Sequence, residues 1–354
     1  KAELEKGSSG ITMKPIGDKI LRKYRIAVST TGEYTQYHGG TVASALAAIN
    51  ATITRVNEVF ETDLGITLEV IAEEDSIIFT NSATDPYNGN LNNQVQNTLT
   101  TTLGEGKYDV GHLFHKDVDN GNAGFVGSVC VDNKKGSAYS SSMVPEGDIF
   151  DLEFAAHELG HQFGANHTWS YQSEGTQAQV EPGSGTTIMG YAGISGENNV
   201  APHGDDYFHY YSIFQISQYV LNTSCAVLIP IADKPPVIDP IGNFNIPKST
   251  AFVLSGQASD PDVEDVLTYT WEQIDNGVVS NTTFGPTNPE GANFRSLKPS
   301  ISPERYFPKL ASVIKGDLTQ TKPTIDSTWE TGSNVERKMN FAFTVRDNAN
   351  GGGQ

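Results

Sequence analysis

Basic side chains are scarce in this chain: 23 Lys and Arg stand against 42 Asp and Glu, a formal net charge of −19 at pH 7. A field of that sign repels phosphate backbones and anionic lipid, so neither nucleic acid nor a membrane surface is an expected partner. Long apolar runs are missing too. The run Ala226-Val-Leu-Ile229 stops at Pro230, far short of the ~20 residues that a spanning helix needs. Charged residues make up only 18% of the 354, below the usual ~25%, and the surface is expected to be rich in Thr, Ser, Asn and Gly instead. Cysteine is reduced to Cys130 and Cys225, which leaves two buried thiols or one disulfide open. A neutral, hydroxyl- and amide-rich surface leans toward an extracellular setting, where a bridge would persist. No signal peptide is visible in the polar opening Lys1-Ala-Glu-Leu-Glu5, so the expected localisation, secreted or cell-surface, is an inference.

The length fits about two domains. Residues 1–22 lack clean periodicity and are taken as a lead-in or prosegment remnant. From Tyr24 the pattern sharpens. Tyr24–Ser29, Ile66–Ile71 and Tyr108–Phe114 are expected strands. Thr41–Phe60 is an expected helix, with Val42, Leu46, Ile49, Ile53, Val56 and Phe60 near 3.6 spacing. Val95, Leu99 and Leu103 suggest another helix, and this succession argues for a mixed sheet with helices packed on it. Pro230, Pro235, Pro236 and Pro240 mark a stiff linker over 230–240, closing a first domain at 23–229. Beyond it, at 241–354, the texture turns all-β: Phe252 and Leu254, Leu267–Trp271 and Met339–Val345 alternate with period two, a sandwich pattern. The proline-rich stretch of about 277–336 is expected to be an insertion.

One segment carries the chemistry: His157-Glu-Leu-Gly-His161-Gln-Phe-Gly164-Ala-Asn-His167. On a helix, residues four apart project from one face, so His157 and His161 can grip one metal ion. Glu158 then falls beside the metal, Gly164 lets the chain leave the helix, and His167 returns as third ligand. Three neutral imidazoles leave a tetrahedral zinc ion one open position. The expected reaction is hydrolysis of peptide bonds in protein or peptide substrates, with Glu158 as general base and acid. Five fixed positions at these spacings arise by chance roughly 10⁻⁵ times in a chain of this length and composition. The competing class is a catalytically inactive zinc-fold adhesin or binding protein.

The motif resembles the extended zinc signature of the metzincin metallopeptidases, which end in a Met-turn. Thr187-Ile-Met189-Gly-Tyr191 matches that turn, and the resemblance implies that Met189 forms an apolar floor beneath the metal. Within metzincins the chain is similar to the reprolysin (adamalysin-like) branch. Gly124-Phe-Val-Gly-Ser-Val-Cys130 looks like that branch's strand ahead of the zinc helix. Cys225 stands where the branch places the partner cysteine, so the resemblance implies a Cys130–Cys225 disulfide. It also implies that substrate pairs along an edge strand at Asn122–Val126, with Asn122, Ala123 and Gly124 as contacts, and that Tyr191, Ala192, Gly193 and Ile194 wall an S1′ pocket, where the small residues lean toward an apolar P1′ side chain. Departures stand beside these matches. Thr168 occupies the place of an Asp, and Tyr191 is more like astacins and serralysins, so its phenol would contact zinc, steady an oxyanion or merely pack. A reprolysin-type calcium site would use Asp109 but finds Leu228 in place of an Asn.

The fold class is thus an α/β (α+β) metzincin catalytic domain followed by an all-β, immunoglobulin-like sandwich resembling PKD modules, whose partner would be an extracellular ligand. Ser212-Ile-Phe-Gln215 is an expected capping box opening the last catalytic helix. Asp260, Asp262, Glu264 and Asp265 form either a calcium-binding turn (Ca2+ beside the Zn2+ cofactor) or a solvated one. His112 and His115 are expected to be structural, and a monomer is expected.

Overall fold

The structure, a computed structural model, describes residues 17–349, and the lead-in over 1–16 lies outside the described residues. Strand β1 (Ile20–Thr30) leads into a short helix α1 (Gly32–Tyr37) and the long α2 (Val42–Leu64). There follow β2 (Ile66–Val70), α3 (Leu91–Thr102), β3 (Val110–His115), β4 (Asn120–Asn122) and β5 (Ala138–Ser141). Next come α4 (His157–Gln162), entered through π-helical turns at Ile149–Ala156, then α5 (Tyr210–Val220) and β6 (Val227–Pro230).

These strands make one mixed six-stranded sheet in the order β2-β1-β3-β5-β4, with β6 also on β1. The pairs of β1 with β2 and β3, and of β3 with β5, are parallel, whereas β4 and β6 run antiparallel to their neighbours. β1 starts earlier than its local pattern suggests because Ile20–Lys23 pairs with β6, some 200 residues on. Period two sorts its side chains: Ile26 and Val28 join Ile49, Ile53, Val56 and Phe60 of α2 on one face, while Ala27 joins Val95 and Leu99 of α3 on the other. A capping box opens α2, in which Thr41 Oγ1 accepts the Ser44 N–H and Ser44 Oγ accepts the Thr41 N–H. Gly65, at φ 61°, closes it in the left-handed region.

Helix α5 begins differently from expectation. Ser212 sits inside its first turn, and the cap is His209, whose Nδ1 accepts the Tyr211 N–H at 3.0 Å. Gln215 instead turns outward to accept the Asn166 N–H. The Cys130–Cys225 disulfide is formed, with 5.7 Å between Cα atoms.

The C-terminal region contains β7 (Val237–Ile238), β8 (Phe252–Ser255), β9 (Ala258–Ser259), β10 (Thr268–Gln273), β11 (Glu304–Phe307), the short α6 (Leu310–Lys315) and β12 (Phe341–Arg346). β8, β10 and β12 fall where alternation places strands. Their hydrogen bonds draw three two-stranded ladders, β7–β9, β8–β11 and β10–β12, in place of the two continuous sheets of an immunoglobulin-like sandwich. The reason lies in the stretch 277–336. It supplies β11 as partner to β8, and Phe294 and Phe307 from it join Trp271, Phe252, Phe341 and Phe343 in an aromatic core between the ladders. The same stretch packs Val279, Phe284 and Trp329 against Val200 of the N-terminal region. A buried ion pair, Arg346 Nε to Asp63 Oδ1 at 2.5 Å, joins the end of β12 to α2. Among the described residues no helix is long and apolar enough to cross a membrane.

Candidate active site

Helix α4 presents His157, Glu158 and His161, all buried. Gly164 adopts φ +103° and ends the helix, which a Cβ-bearing residue does only with strain. The chain then doubles back, with the Ala165 N–H on the Gly160 carbonyl, and brings His167 to the other two rings. One nitrogen from each of His157, His161 and His167 lies within 4.8 Å of the others, and the Nε2 atoms of His161 and His167 approach to 3.0 Å.

The outer nitrogens decide what the inner ones can do. His157 Nδ1 donates to the Ile188 carbonyl at 2.7 Å, His161 Nδ1 to the Ala165 carbonyl at 2.7 Å, and His167 Nδ1 to the Glu174 carboxylate at 2.9 Å. Each bond holds the proton on Nδ1 and leaves Nε2 with a lone pair facing the centre. His157 Nε2 is buried with no hydrogen-bond partner. Burial and the neighbouring imidazoles push His157 well below its ordinary range and His161 down to about 3, so both rings are neutral. An orphaned lone pair on His157, with the imidazoles of His161 and His167 beside it, fits a borderline-soft cation such as zinc.

Glu158 lies against the edge strand: Gly121 of β4 has no room for a side chain because the Glu158 carboxylate fills that space. The Ala123 N–H donates to this carboxylate, and burial pushes it up to about 8. Beneath the helix, Met189 is fully buried, and a Cβ at Gly160 would come within 2.5 Å of its sulfur. The Met-turn closes through the Gly190 N–H on the Thr187 carbonyl, and the Thr168 N–H on the Met189 carbonyl ties it to the third histidine. The Tyr191 ring stands 4.5 Å from that of His167 and 5.5 Å from that of His157. Burial and the nearby Glu158 carboxylate raise its phenol above the ordinary range, so it stays protonated.

The expected edge strand does not survive contact with the geometry. The edge strand is Asn120–Asn122 rather than Asn122–Val126, and 124–130 is not a strand. Gly124 and Gly127, both at φ +72°, turn the chain outward, leaving Phe125 and Val126 exposed. The N–H groups of Gly127 and Ser128 donate to the His161 and Gln162 carbonyls, capping the end of α4 instead of extending the sheet. Asn122 closes β4 and its Oδ1 accepts the Gly124 N–H. Of the wall residues, Ala192 is buried, Gly193 bends the chain at φ +85°, and Ile194 is 70% exposed. Asp109 is occupied by the Arg25 guanidinium at 2.7 Å. His112 is buried between Gln162 and Ser140, and burial takes it down to about 4.

Two carboxylates escaped the sequence. Glu174 orients His167 from seven residues downstream, in a polar loop with no periodic signal. Glu181, almost fully buried, accepts from the Thr168 and Thr187 hydroxyls and the Thr186 N–H, and so joins the segment after His167 to the Met-turn. The segment that carries these groups is braced by the 277–336 stretch: the Gly183 N–H bonds to the Val279 carbonyl, and the Val279 N–H to the Ser170 carbonyl.

A family model for metallo-peptidase family M12B, reprolysin-like, matches residues 21–220, more than half of the 354. The chain belongs to this family of zinc-dependent metallopeptidases. No curated protein matches it.

Proposed function

We propose that this chain is a secreted or cell-surface zinc endopeptidase in which His157, His161 and His167 hold the metal and Glu158 is general base and acid. The observation that carries this reading is the set of three outward Nδ1 bonds, which leaves three Nε2 lone pairs converging on one point. Zinc bound there supplies a Lewis acid for water and for the scissile carbonyl. Glu158, buried beside the edge strand and favoured in its ionised form by the charge of a bound cation, takes a proton from the attacking water and returns it to the leaving amine. In this reading Tyr191, whose ring stands 4.5 Å from that of His167, donates to an oxyanion. An extended peptide adds alongside the edge strand β4, Asn120–Asn122. Its next side chain meets Ala192, Gly193 and Ile194, small and apolar residues that favour an apolar P1′ group.

Cleavage profiling on a peptide library, with and without a chelator, tests this. The expected result is cleavage with an apolar P1′ preference, abolished by the chelator and restored by zinc. Bound zinc without any cleavage across the library would favour the adhesin reading.

A further inference from the structure

Far along the chain, five carboxylates from three separate segments converge. Asp233 lies between β6 and β7, Asp260, Asp262 and Asp265 form the turn after β9, and Asp347 directly follows β12. One oxygen from each of Asp233, Asp262 and Asp265 lies within 4.8 Å of the others. An acidic turn in solvent needs no cation, and its oxygens would be hydrated. Here they are not. One carboxylate oxygen of each of Asp233, Asp260, Asp265 and Asp347 is buried without a hydrogen-bond partner. Asp347 is the decisive member: its residue is 1% exposed, its Oδ1 accepts the Ala349 N–H, and its unpartnered Oδ2 belongs to a carboxylate in direct contact with Asp233.

The local charge is far from balanced. Lys234 donates to Asp262 at 2.7 Å, and Lys19 lies further off; these cations face five carboxylates. Unpaired buried charges of one sign are costly, and the chemistry that relieves them is a hard divalent cation. Calcium takes six to eight oxygens at about 2.4 Å, so opposed ligands stand about 4.8 Å apart, and it tolerates irregular geometry that magnesium does not.

We propose that Asp233, Asp260, Asp262, Asp265 and Asp347 form a calcium site that fastens the proline-rich linker to the C-terminal region. Position matters to the whole molecule. Asp347 adjoins Arg346, whose guanidinium makes the buried pair with Asp63 of α2, so calcium would fix the strand end that holds the two regions together. The sequence marked Asp260, Asp262 and Asp265; Asp233 and Asp347 become visible only in the fold.

The test uses the full chain, stripped on a chelating resin and reloaded with zinc alone, then titrated with calcium chloride by calorimetry and thermal unfolding. The expected result is saturable binding at or below about 1 mM, with a rise in Tm. Asp347→Asn and Asp265→Asn should each weaken binding about tenfold or more. Both variants should be at least as stable as the parent without calcium, because neutralisation relieves repulsion. No saturable binding at about ten times that concentration would overturn the proposal, as would unchanged affinity in both variants, or equal affinity for magnesium. Peptide cleavage is not read, so a failure here leaves the zinc endopeptidase reading standing.

Discussion

In residues 20–230 a single six-stranded sheet orders the chain, with α2 on one face and α3 on the other, whereas residues 237–346 form three ladders of two strands each. Two-stranded ladders are marginal by themselves. The C-terminal region therefore draws order from its aromatic core and from what it buries against the catalytic region: Trp329 beside Val200, Arg346 on Asp63, and the Glu272 carboxylate accepting the Tyr210 N–H. The traffic runs both ways, since Val279 bonds the backbone at Ser170 and Gly183, between the third histidine and the Met-turn. The sheet has more order of its own; the paired ladders persist by leaning on a neighbour.

The largest expected effect strikes the catalytic region. Replacing Cys130 and Cys225 by Ser opens a loop of sequence separation 95, worth up to about 4–5 kcal/mol by chain entropy. Tryptophan fluorescence should then report one early transition, because Trp169 in the first region and Trp271 and Trp329 in the second lose their environments together. A C-terminal signal that keeps its original midpoint would break the comparison.

Trp329→Ala should cost about 4 kcal/mol by emptying the small core at Val200, measured as a shift in denaturant midpoint. Because that core packs on Val200, downstream of the Met-turn, and leaves the histidine triad untouched, KM should rise more than kcat falls. Equal stability would show that the two regions do not lean on each other there. Arg346→Ala should cost about 3 kcal/mol, since it leaves the Asp63 charge buried alone. Adding Asp63→Asn should recover part of that loss; strict additivity would contradict a direct pair.

The smallest effect is confined to acid. His112 sits at about 4 in the fold against about 6.5 when unfolded, so folding favours its neutral form. That contribution, on the order of 3 kcal/mol, is full above pH 6.5 and is lost as pH falls toward 4. His112→Gln should flatten the stability profile between pH 7 and 5 relative to the parent. Identical slopes would remove His112 as the cause.

How much was legible follows the same divide. The α2 helix could be read because its apolar residues recur at helical spacing and Thr41 caps it, and the three histidines because four residues make one helical turn. The triad's neighbours could not. Glu174 and Glu181 reach it through loops whose shape depends on contacts, including those from 277–336. The edge strand was misplaced by a few residues because Gly124 and Gly127 spend their N–H groups and turns on capping α4. His209 displaced Ser212 as a cap because a ring nitrogen happened to face the Tyr211 N–H. β8, β10 and β12 were visible in alternation, but their partners were not, since pairing across a long insertion leaves no local trace.

The central claim is that the three imidazoles hold zinc while Glu158 moves the proton, and it is tested most directly by Glu158→Gln with zinc content and turnover measured on the same preparation. The account predicts zinc retained at one ion per chain and peptide hydrolysis reduced by about 10²–10⁴-fold. Full turnover in that variant, or zinc lost along with the carboxylate, would contradict it.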